Sequence, residues 1–207
     1  MVINWYGEGC FKIQTGGLTI LTDPFDASTG LTPPRFKADV TIKTLTSLPI
    51  ESTFGAALTE EVTVHGPGEY EIKGVEIKGW PLEEKRSSEA TLKTYYIVGV
   101  ENMRLAFLGH MSEGEASLLE NLGTVDILFL PAGGAPYLDP EVASSLIKQL
   151  NPKMVITSFF KVSGLKRKAH EVKEFLKEIG EEAETQEKLT IKKSDLPERM
   201  RAVVLQN

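Results

Sequence analysis

The chain has 207 residues, 41% hydrophobic and 25% charged, enough apolar material for a substantial core in an ordinary globular composition. Its net charge of −6 argues against a general nucleic-acid binder, which needs a basic surface. A single cysteine, Cys10, excludes an intrachain disulfide and a cysteine-based zinc site.

The opening "MVINWYGEGC" has no basic segment followed by an apolar run, and no window approaches the roughly 18 consecutive apolar residues of a membrane span. The expectation is a cytoplasmic protein without a signal peptide. "VINWYG" and "CFKIQT" alternate as strands, and Gly16-Gly17 marks a tight turn into "LTILTD". Residues 24–37 form a Pro/Gly-rich loop. "EVTVHG", "YEIKG" and "VEIKGW" read as short strands, and "TYYIVGV" and "RLAFLGH" flank a hairpin turn at Glu101-Asn102. The first half therefore reads as a mostly antiparallel meander.

The second half changes character. "SEGEASLLENLG" suggests a helix with a capping box from Ser112 to Glu115 and a stop at Gly123. "VDILFLPAGG" is a continuous apolar run, as in a strand buried on both faces. "DPEVASSLIKQLN" begins with Asp139 as N-cap and Pro140 in the first turn. "PKMVITSFF" completes a βαβ unit with parallel pairing expected. The basic run "KVSGLKRKAH" reads as the solvated start of an amphipathic helix that ends at Gly180, and "KLTIKK" and "MRAVVLQ" close the chain as strands. No linker or repeat interrupts the sequence, so residues 1–207 read as one α/β domain with two packed sheets.

In order, "WYGEGCFKI", "LTDPFD", "PPRFKAD", "GPGEYEIKGVEIKG", "LGH", "VDILFLPAGG", "KLTIKKSDLP" and "AVVL" resemble the metallo-β-lactamase superfamily. The similarity is to its branch of small predicted zinc-dependent hydrolases of the ascorbate-6-phosphate lactonase type. It implies a four-layer αββα sandwich with a site at one edge, between the sheets. The family places a His-x-His-x-Asp-His motif a few residues after the "AD" strand. An ungapped reading from Ala38-Asp39 puts Leu45, Ser47, Pro49 and Ile50 at those positions. Glu84 falls near the next family histidine, His110 at the bridging aspartate, and Phe159 at the final histidine. Asp23 matches a family aspartate that supports the site without forming a metal position. Leu, Ile, Pro and Phe cannot ligate zinc, and without a metal the family's hydroxide nucleophile does not form at neutral pH. The resemblance thus implies that the zinc-binding histidines are lost and that no cofactor is held.

Three histidines remain. His170, near the start of a charged helix, reads as exposed. His65 reads as a strand cap or a cleft residue. His110 is the candidate of interest, although a lone histidine is more often a satisfied polar group than a ligand. Cys10 sits in an alternating strand and reads as a small buried hydrophobe. "PAGG" lacks a phosphate-loop pattern and reads as a strand-end turn.

Two function classes follow. The first is a non-catalytic binding or interaction module with a remnant cleft around Asp23, Glu84, His110 and Phe159. Its partner is a small molecule or protein, not nucleic acid or membrane. The second is a hydrolase with an atypical site built from Asp23, Glu84 and His110, with or without His65.

Overall fold

A computed structural model describes residues 1–49, 61–82 and 90–207. Alternating burial builds the first strands: β1 (Val2–Gly7) and β2 (Cys10–Thr15), followed by β3 (Leu18–Thr22). Gly16 and Gly17, both at positive φ, close the hairpin with Thr15 opposite Leu18. Next come β4 (Val40–Lys43), β5 (Leu45–Ser47), β6 (Val62–His65), β7 (Gly68–Ile72) and β8 (Val75–Pro81). β9 (Thr91–Val100) and β10 (Met103–Phe107) form a hairpin through Glu101 and Asn102, both left-handed. After α1 (Leu118–Leu122), β11 (Ile127–Pro131), α2 (Pro140–Leu150) and β12 (Met154–Ser158) form the expected βαβ unit, parallel from Ile127/Met154 to Pro131/Ser158. The chain finishes with α3 (Val172–Ile179), β13 (Glu184–Gln186), β14 (Lys188–Thr190) and β15 (Arg201–Leu205).

Two sheets result. The first runs β14-β1-β2-β3-β4-β6. The second runs β13-β15-β12-β11-β10-β9-β8-β7, with β5 also paired to β9. The meander reading needs one correction. β3, β4 and β6 pair in parallel, so the chain returns to the same end before β4 and again before β6. Asp39 pins the first return: its amide donates to the Thr19 carbonyl, and its carboxylate accepts from the Thr19 amide at 2.8 Å. Alternation reports which face a residue occupies, not which way its strand runs.

The main core lies between the sheets. Ile3, Phe11 and Ile42 from the first meet Val98, Phe107 and Phe129 from the second. The second sheet is apolar on both faces. Ile127 and Phe129 face the main core, while Leu128 and Leu130 join a second cluster with Leu122, Ala143, Ile147 and Phe175 of the three helices. That explains the uninterrupted apolar run in β11. The outer face of the first sheet buries Cys10, Leu21 and Ala38 beneath Phe25 and Phe36 of the long loop. No helix among the described residues is long and apolar enough to cross a membrane.

Two helix starts differ from expectation. α1 begins at Leu118 with Ser117 as N-cap, so Ser112 and Glu115 do not form a capping box. Residues 161–170 are not helical, and α3 begins only at Val172. In each case a polar signal near a helix belongs to the preceding loop.

Phe129 joins the layers, with Phe11 edge-on at 4.7 Å and Phe107 stacked at 4.3 Å. Phe129→Ala is expected to destabilise the protein by about 3–5 kcal/mol through lost burial and a residual cavity. Urea unfolding followed by circular dichroism measures this; a loss below about 1 kcal/mol would mean that the two sheets do not depend on this contact.

Candidate functional site

The site lies where the chain leaves one sheet for the other. β4 pairs in the first sheet and β5 in the second, and Thr44 is the single residue between them. Its carbonyl accepts from the Thr94 amide at 2.9 Å, which ties the junction to β9. Asp23, at the end of β3, holds it from the other side. One carboxylate oxygen accepts from the Thr44 amide at 2.7 Å and the other from the Thr44 hydroxyl at 2.6 Å. Asp23 sits at φ 37°, a backbone region that L residues seldom adopt. These two bonds, with a third from its own amide to the Ile42 carbonyl, hold it there.

The Thr44 hydroxyl also lies 2.7 Å from Nδ1 of His110. A hydroxyl has one proton, and Thr44 gives it to Asp23. Nδ1 of His110 must therefore be the protonated nitrogen, donating to Thr44. Nε2 is left as a lone-pair acceptor with no protein partner among the described residues. Gly109 makes this approach possible, since a Cβ there would fall 2.0 Å from the Thr44 hydroxyl. Burial lowers the pKa of His110, outweighing the opposing pull of Asp23 at 3.9 Å. Burial also raises the pKa of Asp23, against the charge of His110 and the bonds from Thr44.

Phe159 forms the facing wall. It is buried, at φ 55°, with its ring 5.0 Å from that of His110 and 4.3 Å from that of Tyr137. Two glycines make room for it. A Cβ on Gly9 would meet the Phe159 ring at 2.7 Å and the Asp23 carboxylate at 2.9 Å; one on Gly133 would meet the Phe159 carbonyl at 2.0 Å. Arg167 covers this wall. Its guanidinium pairs with both oxygens of Glu8, donates to the Phe159 carbonyl at 2.5 Å, and lies 5.0 Å from the Tyr137 ring centroid.

These groups border a cleft of about 270 Å³. Asp23, His110, Leu45 and Phe159 all line it, so four residues far apart in sequence meet at one cleft. Ser47 and Pro49 are exposed and do not line the cleft. Ile50 and Glu84 lie outside the described residues. His65 is half-buried beside Lys43 in the first sheet, its Nδ1 without a partner, and it does not line the cleft. His170 is exposed and pairs with Glu174 one turn on. Cys10 is fully buried, and burial pushes its thiol far above the reactive range. Among the described residues, no three His, Cys, Asp or Glu side chains form a group that could hold a metal ion.

Sequence reasoning missed Thr44, Glu8, Tyr137 and Arg167. Only Arg167 gave a signal, as part of the basic run read as solvated. The structure corrects that reading: its side chain folds inward and is only 23% exposed.

The neutral state of His110 has a consequence for stability. Its folded pKa lies below the ordinary 6.5, so as pH falls through that value the unfolded chain takes up a proton that the folded chain resists. Stability is therefore lost on acidification below pH 6.5. His110→Phe removes this contribution, and the fall in thermal midpoint between about pH 7 and about pH 5 is expected to be shallower in the variant. Equal falls in both proteins would rule His110 out as a source of acid sensitivity.

A family model described as "Beta-lactamase superfamily domain" matches residues 2–158. Among solved structures, the chain is similar to a Thermotoga maritima protein assigned as a Zn-dependent hydrolase of the metallo-β-lactamase superfamily. Identity is 26%, over 99% of this chain and 97% of that one, with a TM-score of 0.79. A metallo hydrolase from Ignicoccus hospitalis shares the fold at 15% identity, over 100% and 96%, with a TM-score of 0.61. An isothiocyanate hydrolase from Delia radicum gut bacteria does so at 12%, over 98% and 96%, also at 0.61. No curated protein sequence matches the chain. With its two-sheet sandwich, a family match over most of its length and a cleft at the junction of the sheets, the chain belongs to the β-lactamase superfamily.

Proposed function

We propose that this protein is a non-catalytic binding module of the superfamily, from the lactonase-like branch of zinc-dependent hydrolases, whose cleft takes a ligand or partner without a metal. The observation that carries this reading is Phe159. A ring stands buried between Gly9, His110 and Tyr137, at the position that the resemblance assigns to a metal-binding histidine.

The donor chemistry of the cleft supports the same reading. Zinc takes about four N, O or S ligands at roughly 2.0–2.3 Å. Both oxygens of Asp23 are engaged by Thr44, and both oxygens of Glu8 by Arg167. Among the His, Cys, Asp and Glu side chains of the described lining that leaves His110 Nε2, while Leu45, Phe25 and Phe159 have no lone pairs to give. These residues do not fit a zinc site, so no chemical step is routed through one.

A second reading has one observation in its favour. The Asp23–Thr44–His110 chain fixes the histidine tautomer and leaves Nε2 as a base, the arrangement a metal-free hydrolase uses to activate water. The carboxylates of the cleft are already bonded, Asp23 to Thr44 and Glu8 to Arg167, so among the described residues no carboxyl group is left to act as a second acid, and this favours binding over turnover.

Zinc or manganese at micromolar concentration is expected to leave the thermal midpoint unchanged, and chelators not to lower it. A metal held at about 100 times its Kd would instead stabilise the fold by about 2.7 kcal/mol. Hydrolysis of lactone, phosphodiester and β-lactam substrates is expected to stay at background. Stoichiometric metal lost together with activity in His110→Ala would overturn the binding-module reading, and metal-free turnover abolished by His110→Phe would establish the second.

A further inference from the structure

The charges at the cleft cancel. Both oxygens of Glu8 are bonded to the Arg167 guanidinium. Asp23 is bonded to Thr44 and shares an electrostatic attraction with Lys43, which also lines the cleft. Two carboxylates thus stand against two cations, and neither sign is in surplus among the described residues of the cleft and its wall. A charged ligand gives up its water here for a recess with no net counter-charge, and desolvation opposes it. An uncharged ligand meets no such cost.

Apart from the Lys43 ammonium, two side-chain groups of the lining lack a hydrogen-bond partner among the described residues. One is Nε2 of His110, an acceptor because Nδ1 carries the proton. The other is the Tyr137 hydroxyl. Burial, with the negative charges of Glu8 and Asp23 and against that of Arg167, pushes its pKa up to about 12, so at neutral pH it keeps its proton and donates. The two rings stand edge to face with centres 5.7 Å apart, close enough for one head group to serve both.

Such a head group donates to Nε2, accepts from the Tyr137 hydroxyl and carries no charge. A carboxamide does this through an N–H and a carbonyl that diverge from one carbon. A carboxylate has no donor, and an amidinium has no acceptor. Leu45, Phe25 and Phe159 give the rest of the recess an apolar and aromatic lining. The volume of about 270 Å³ is below the usual range for drug-sized ligands and suits about ten heavy atoms. Resting on the metal-free reading above, we infer that the cleft binds a small neutral carboxamide with a flat apolar body. The N–H donates to His110 Nε2, the carbonyl accepts from the Tyr137 hydroxyl, and the body lies against Leu45, Phe25 and Phe159. No bond is made or broken.

Benzamide serves as the probe. Acetophenone keeps its shape and carbonyl but lacks the N–H donor, while benzoate and benzamidinium keep its shape and add a negative or a positive charge. Calorimetric titration of the full chain is expected to show one saturable benzamide site at millimolar affinity or tighter. Each of the three analogues is expected to bind about tenfold more weakly, the effect of roughly one lost hydrogen bond. Tyr137→Phe is expected to weaken benzamide about tenfold, and His110→Phe to erase the preference for benzamide over acetophenone. Absence of saturable benzamide binding would overturn the inference. So would acetophenone, benzoate or benzamidinium binding as tightly as benzamide to the unmodified chain, a comparison that needs no variant to fold. A parallel zinc titration separates the two claims. Stoichiometric zinc that His110→Phe abolishes sinks the metal-free reading. No zinc and no benzamide sinks only the assignment of the ligand.

Discussion

The bonds between Asp23 and Thr44 organise this end of the molecule. A chain that leaves one sheet and enters another needs a fixed corner, and here the corner is one residue long. Its amide and hydroxyl are both held by a carboxylate buried at the end of a neighbouring strand. Because the Thr44 hydroxyl then has only lone pairs left to offer, it dictates which nitrogen of His110 carries the proton. A structural constraint on the backbone thereby becomes a chemical property of the cleft. The left-handed backbone of Asp23 belongs to the same arrangement, because an extended conformation there would not return the carboxylate to Thr44.

The opposite wall is shaped by small residues. Gly9, Gly109 and Gly133 each stand where a single added carbon would collide, with Phe159, Thr44 and the Phe159 backbone respectively. None is there for solvent or for turn geometry alone. Together they let a ring, a hydroxyl and a main-chain carbonyl crowd against the end of the sandwich. The resulting recess is partly aromatic and partly charged, a combination that discriminates by shape and by sign at once.

The parts of the fold legible in the sequence were those where local chemistry and tertiary role coincide. Gly16-Gly17 can close a hairpin without help, and the double-sided apolar run of β11 has few alternatives to central burial. The direction of β4 was hidden, because the Asp39 bond that sets it spans 20 residues. Ser112 and Glu115 carry a helix-start signal that the tertiary fold overrides by starting the helix at Leu118. In the cleft, Asp23, Leu45, His110 and Phe159 were placed together by a resemblance, not by any pattern of their own. Thr44 was invisible because nothing distinguishes a junction threonine from its neighbours Thr41 and Thr46. Arg167 was misread because a basic run looks solvated until the fold supplies a carboxylate and two rings for one of its members.

The Glu8–Arg167 pair joins positions 159 residues apart. During synthesis the first hairpin and the Asp23–Thr44 corner emerge long before the wall that closes on them. The recess therefore belongs to the last stage of assembly, after the loop-closure entropy of most of the chain has been spent. A chain shorter than 167 residues has no Arg167 guanidinium to pair with Glu8, and it lacks β13, β14 and β15 as well. Recognition by this cleft is in that sense a property of the finished molecule alone, and a partner present at the ribosome meets a surface that does not yet discriminate.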